Sequence, residues 1–209
     1  MRSDTKKPAT FTQSARRAQI VTAAIDVIAE IGWAQTSIRK IADRVGVAMS
    51  AVLYHFGTKD NLVDAIIEEM YRAALSAVVP ALDAESTATG KLTAYIRASI
   101  AYFDTHRSQL AALTQLGTGY QPSDGRRFDE LGMTPELREE LVALDPTSIL
   151  VAGQRDHEFG DFPIASMAVA LRGAVNAVVE KILREPDFDA HAYGEDLVAI
   201  FGRAVGAQR

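Results

Sequence analysis

The segment from Thr36 to Phe56, TSIRKIADRVGVAMSAVLYHF, constrains the fold most tightly, because it divides into two short amphipathic stretches around Gly46. In the first, Ile38, Ile41, Ala42 and Val45 recur at helical spacing while Arg39, Lys40, Asp43 and Arg44 fill the other side, so one face suits burial and the other water. In the second, Val47, Ala51 and Val52 can turn inward with Phe56, leaving Met49, Ser50, Leu53, Tyr54 and His55 to the outer surface and the helix end. Gly46 supplies the positive φ that a sharp reversal after a helix needs, and the Thr36 hydroxyl is placed to cap the first helix. Two short helices held at a fixed angle by such a turn have the layout of a DNA-reading helix-turn-helix.

The continuation HFGTKDNLVDAI places Gly57 after the second helix, Thr58 as the next N-cap and Lys59 near the start of a long helix. Over the run from Arg17 to about Leu75, which includes IGWAQTSIRKIADRVGVAMSAVLYHFGTKDNLVDAI, the chain resembles the tetracycline-repressor-like (TetR) family of bacterial transcription regulators. The resemblance implies an all-α protein: an N-terminal three-helix helix-turn-helix head on a C-terminal helical ligand-binding and dimerisation domain. It is strong over the first third of the chain and rests on length and helical habit beyond. The chain departs from the family pattern at Ala48, where Ser or Thr is usual, at Ser50, where Gly or Ala is usual, and at Leu53, where Tyr is usual. One customary phosphate-contacting hydroxyl is therefore missing from the reading helix.

A net charge of −5 fits a DNA binder only once it is divided along the chain. Up to Lys59 bases exceed acids by five, and the remainder carries −10. A basic head on an acidic body lets one end approach phosphate, because the local field decides the docking face. With 209 residues, 48% of them hydrophobic, the chain can bury a sizeable core. There is no cysteine, so disulfide and thiolate chemistry are excluded. No segment is long and uncharged enough to span a bilayer, and the expectation is a cytoplasmic protein.

Periodicity predicts a flexible basic arm over 1–15, a helix-turn-helix domain over 16–60 and a ligand-binding and dimerisation domain over 61–209. Helices are expected from about Arg16 to Ile31, with Trp33 as a plug beneath the motif; from Thr58 to Val79, ending before Pro80; from Gly90 to Thr105; and from Ser108 to Leu116. Residues 117–134, GTGYQPSDGRRFDELGMT, show no clear period, and a loop of that length is expected to border a ligand cavity or a dimer edge. Further helices are expected over Pro135–Leu144, from Asp145 and Pro146 to about His157, over Pro163–Arg184 and over Ala190–Val205.

Read onto these elements, Ala48, Met49, Ser50 and Ala51 face bases, and Tyr54, His55 and Lys59 hold the DNA backbone. Ser37, Arg39 and Lys40 sit where the family's preceding helix meets DNA. A reading helix so poor in long polar side chains can only make apolar contacts, typically to thymine methyls, so Arg39 and DNA shape are expected to carry much of the specificity. The helix Pro163–Arg184 is apolar on more than one face, which calls for a partner subunit; Ala174 and Val178 are the expected interface positions. Ile96, Ile100, Phe103, Leu113, Tyr120, Leu171, Arg172 and Asn176 are the candidate lining of an effector cavity for a mostly apolar or aromatic small molecule.

Enzyme signatures are lacking: there is no GxSxG, GxGxxG or GxxxxGK[ST]. His55, His106, His157 and His191 are never spaced as a helical metal pair, and the acids around His157 read as a solvated turn. No catalytic residue, metal or cofactor is expected. The sequence therefore predicts a homodimeric, ligand-responsive regulator, most simply a repressor, that binds a palindromic operator and no membrane. The rival classes are a helical protein-interaction module and a small-molecule enzyme indifferent to DNA.

Overall fold

A computed structural model of the chain describes residues 11–206. The expected arm over 1–15 thus lies mostly outside the described residues. Ten α-helices follow one another: α1 (Phe11–Ile31), α2 (Ile38–Val45), α3 (Met49–Phe56), α4 (Lys59–Asp83), α5 (Ala88–Thr105), α6 (Arg107–Gly119), α7 (Pro135–Leu141), α8 (Thr147–Arg155), α9 (Ile164–Arg184) and α10 (Ala190–Val205). Short 3-10 turns occupy Trp33–Gln35, Phe128–Glu130 and Val142–Leu144. No strand occurs among the described residues, which is the all-α architecture expected from the periodicity.

The chain forms two compact units whose boundaries cut across the expected domains. The first contains the described residues up to Glu69 together with Ala112–Gly132, and the second contains Met70–Ala111 and the described residues from Met133 onward. In the first unit, Ile20, Ala24, Ile28, Ile41, Ala42, Val52, Phe56, Leu62 and Ile66 are buried. They come from α1 to α4 at the spacings that put one side of each helix inward. Leu116, Tyr120 and Leu131 of the returning segment are buried as well.

The second unit has a continuous apolar core supplied by α4, α5, α8, α9 and α10, with Ile96, Leu150, Leu171 and Val178 fully enclosed. Gly153 is small because the Phe159 ring fills its place, a Cβ there falling 2.0 Å from a ring carbon. Acids that looked solvated in the sequence serve the helices: the Glu158 carboxylate accepts the Ala88 and Thr89 N–H groups, both at 2.9 Å, and so caps α5, while Asp156 pairs with Arg155. Those two N–H donors hold the Glu158 carboxyl below its usual range.

Two expectations are corrected here. The linker helix was expected to stop before Pro80, yet α4 runs through it to Asp83. An interior proline forfeits one helical hydrogen bond and costs about 3 kcal/mol; burial of Val78 and Leu82 on either side of it offsets that cost. The second correction concerns one of the two expected interface positions, Val178, and not the half-buried Ala174. Val178 is fully buried inside its own unit, and the Ala174 carbonyl accepts the Tyr193 hydroxyl at 2.8 Å. The side of α9 left uncovered carries Ala165, Ser166, Val169, Ala170, Gly173, Asn176 and Ala177 instead.

Candidate nucleic-acid interface

The turn between α2 and α3 is built as the glycine required. Gly46 adopts φ 75° and its N–H returns to the Ala42 and Asp43 carbonyls, ending α2. The cap at the other end of α2 is displaced by one residue from expectation: the Ser37 hydroxyl accepts the Lys40 N–H at 3.3 Å, whereas Thr36, buried, donates its own hydroxyl to the Gly32 carbonyl at 2.8 Å. Ala48 starts α3 with extended backbone and offers no side-chain cap. The hydroxyl that the family usually has there would fill that role.

On α3, Val52 and Phe56 turn into the core while Met49, Leu53 and Tyr54 remain 50%, 38% and 75% exposed. Ser50 is exposed beside them, and Ala51 and His55 are half-buried at the edges. Residues 49, 50, 53 and 54 share one helical side, so the reading helix presents a single, uncharged and largely apolar strip. Exposed bases lie on the neighbouring elements, with Arg16 and Arg17 on α1 and Arg39 and Lys40 on α2. Arg39 has only a loose 4.0 Å partner in Asp43, with its side chain 83% exposed.

The strip is held from behind by bonds that sequence reading did not find. Arg17 donates to the His55 carbonyl at 3.2 Å and stacks its guanidinium over the Phe56 ring at 4.4 Å, fastening the C-terminal end of α3 to α1. A cation there also faces the negative end of the α3 dipole. Arg44 pairs through both nitrogens with Glu30, joining α2 to α1, and this partner holds the Glu30 carboxyl below its ordinary range. Asn61 donates to the Phe56 carbonyl at 2.8 Å across the α3–α4 turn.

Lys59, expected on the DNA backbone, points elsewhere. Its ammonium donates to the Thr36 carbonyl at 2.9 Å and sits 3.7 Å from the centre of the Trp33 ring. Burial pushes its pKa down. Trp33 in turn meets the edge of Tyr120 at 5.1 Å, so the half-buried indole is packed as the expected plug and is also the floor under a cation. Of the other expected contacts, Ser37 is engaged as a cap and Lys40 donates to the Gln35 carbonyl at 2.9 Å.

The aperiodic stretch proves to be a strap on this same unit. Arg126 meets both Asp64 oxygens at 3.0 and 2.8 Å, the Gly132 N–H adds a third donor to Asp64 at 2.8 Å, and Ser123 donates to Asp60 through its hydroxyl and its N–H. The Ser123 hydroxyl is the main reason that the Asp60 carboxyl is held below its usual range. Gly132 has φ 63°, and a Cβ there would lie 2.5 Å from the Asp64 carbonyl oxygen and 2.6 Å from the Glu68 nitrogen. Both acids lie in the first two turns of α4, immediately after the reading helix. The buried Tyr120 hydroxyl, near Asp60 but without a well-formed hydrogen bond, has its pKa pushed up by burial and by that negative charge.

The eight residues expected to line an effector cavity do not form one lining within either unit. Ile96, Ile100 and Leu171 are buried in the second unit's core with Phe103 packed against it, Arg172 pairs with Asp145, and Asn176 is on the uncovered side of α9. Leu113 and Tyr120 belong to the first unit. Ile100 also floors an open groove of about 560 Å³ between α5 and α10, where Arg97 and Glu195 form a doubly bonded pair at 2.6 Å. No helix among the described residues is long and apolar enough to cross a membrane.

Residues 20–66 match the model of the tetR family of bacterial regulatory proteins. An HTH-type transcriptional repressor of Mycobacterium tuberculosis is 51% identical over 53 residues, which cover 25% of this chain and 28% of that one. The class A tetracycline repressor protein from transposon 1721 of Escherichia coli is 33% identical over 90 residues, 42% of each chain. The chain thus spans less than half the length of these two relatives. In fold it is similar to the transcriptional regulator FadR from Bacillus subtilis, solved in complex with stearoyl-CoA, with a TM-score of 0.70 and 19% identity over 92% of this chain and 99% of that one. The helix-turn-helix thus matches the amino-terminal model of the tetR family of bacterial regulatory proteins over residues 20–66, and the chain shares the fold of FadR over 92% of its length.

Proposed function

We propose that this chain is a DNA-binding transcriptional regulator of the cytoplasm, a homodimeric repressor released from a palindromic operator by a small, mostly apolar effector. The observation that carries the reading is the uncharged outer strip of α3, flanked by exposed arginines and a lysine and fastened from behind by Arg17, Arg44 and Asn61. A rigid helix with exposed cations beside it is what docking in a major groove requires: cations neutralise phosphates and fix register, and the helix meets base edges.

The uncovered side of α9 supports dimerisation. Its exposed residues from Ala165 to Ala177 are uncharged and mostly small, with the half-buried Arg172 paired to Asp145, so a second copy can approach closely about a two-fold axis. Two heads must then sit roughly 34–36 Å apart to reach successive major grooves. An effector bound preferentially to a state with another spacing lowers operator affinity, typically by about 5- to 150-fold. The apolar character of that effector is supported by the candidate lining residues Ile96, Ile100, Phe103 and Leu171, and by the acyl-CoA held by the fold relative FadR.

The test is titration of fluorescent duplexes from the DNA beside this gene at several salt concentrations. A palindromic fragment should bind with an affinity that falls linearly in log[salt] and exceeds that of unrelated duplex by at least about 10³-fold. Indifference to both sequence and salt would overturn the reading in favour of a protein-interaction module.

A further inference from the structure

We propose that the reading helix recognises thymine methyl groups, so that the core of each half-site is rich in T·A pairs with their methyls turned toward Met49 and Leu53. This deepens the DNA-binding reading above and rests on it. Major-groove edges are distinguished by hydrogen bonds or by the thymine methyl: guanine is read by Arg or Lys, adenine by Asn or Gln, cytosine by Asp or Glu. The exposed strip of α3 contains none of these six residue types. Met49, Leu53 and Tyr54 stand out at 50%, 38% and 75% exposure, and Ser50 beside them has a hydroxyl that accepts either partner.

Leu53 is the residue that turns a mixed surface into an apolar one. Positions 49 and 53 are one helical turn apart on the same side, so their side chains form one patch about the width of neighbouring base-pair steps. Large apolar groups left in water at the centre of a face with exposed cations around it gain most from an apolar partner inside a polyanion. The C5-methyl of thymine is the apolar group a major groove offers. Exposed bases on both preceding helices, Arg16 on α1 and Arg39 on α2, are available to neutralise the phosphates that border such a groove.

The experiment selects bound sequences from a random duplex pool with the full chain, then replaces each thymine of the recovered half-site by deoxyuridine, which removes the methyl and nothing else. Wild-type protein should lose about three- to fivefold in affinity at one or more positions, the size expected for one buried methyl. With Leu53→Ala or Met49→Ala, that loss should disappear at the position the missing side chain covered, while the salt dependence stays as in the wild type. Both side chains are exposed, so these variants leave the head folded, and the deoxyuridine series in wild-type protein stands without them. Selected half-sites with a G·C core, or deoxyuridine neutral at every thymine while salt-dependent binding persists, would overturn methyl reading and leave the regulator standing. No salt-dependent duplex binding at all would overturn both.

Discussion

The two compact units leave apolar surface uncovered in opposite ways. In the first, the bare side of α3 carries large groups, Met49, Leu53 and Tyr54, between exposed cations. In the second, the bare side of α9 carries Ala165, Val169, Ala170, Gly173 and Ala177, and the one charged residue in that stretch, Arg172, is half-buried and paired with Asp145. Size and rim decide what each can meet. Large apolar tips inside a cationic frame reach into a polyanion's groove, whereas small residues without a frame let two helix backbones approach. The head adds a second contrast, since its cations are divided between outward ones and ones spent inward on Thr36, Glu30, His55 and Asp64.

The largest effect is expected from charging the α9 surface. Gly173 has open space where a Cβ would point, so Gly173→Glu leaves the fold intact and places a carboxylate in the expected two-fold contact. Monomers should result, and operator affinity should fall roughly 10²- to 10⁴-fold as the second half-site is lost. Sedimentation read together with helical circular dichroism decides it: a dimer that survives means α9 is not the interface. Val178→Glu is the control with a different signature, because a carboxylate at a fully buried position unfolds the second unit rather than dissociating it.

A smaller but still large effect is expected in the strap. Gly132→Ala meets α4 backbone atoms at 2.5 and 2.6 Å and forces a β-carbon into φ 63°, a conformation that alone costs about 1–3 kcal/mol. Asp64→Asn removes the charge that Arg126 and the Gly132 N–H share and should cost about 1–3 kcal/mol of stability. Hydrogen exchange should then rise at 120–132 and at the start of α4 while the α5–α10 core stays protected. Equal loosening in both units would show that the strap does not belong to the head alone.

What the sequence made legible was local. Helix period, Gly46, Gly57 and the Thr58 cap, whose hydroxyl accepts the Asn61 N–H, are enough to place α2, α3 and the start of α4. The strap escaped because its bonds join residues 62 to 68 positions apart, and its acids and arginine look in sequence like solvated charge. Periodicity likewise shows that α9 has two apolar sides without showing which is inner, so it cannot tell that Val178 is covered by its own chain. The motif position of Lys59 points to phosphate, and its inward turn is explained by the Thr36 carbonyl and by Trp33, 26 residues back in the chain.

That assignment can be sharpened directly. With one donor on the Thr36 carbonyl and the ammonium over Trp33, Lys59→Ala should lower the head's stability by about 1–2 kcal/mol. The salt slope of operator binding should not change. A slope flatter by about one unit, with unchanged stability, would return Lys59 to the phosphate contacts.

The smallest expected effect is a pH dependence of the strap. Asp60 is held below the ordinary carboxylate range, first by the Ser123 hydroxyl, and Asp124 likewise, first by the Arg126 N–H. A carboxyl with a lowered folded-state pKa binds protons less readily folded than unfolded. Its contribution is therefore complete above the unfolded value and is lost as pH falls through the lower folded one. Asp60 is only half-buried, so screening limits its share to less than about 1 kcal/mol. Thermal unfolding of wild type and Ser123→Ala should differ by a constant amount between about pH 5 and pH 8, and the difference should shrink only in more acidic solution. A difference that grows on acidification would mean that Ser123 favours the protonated form of Asp60, and the strap would then tighten where the rest of the head loosens.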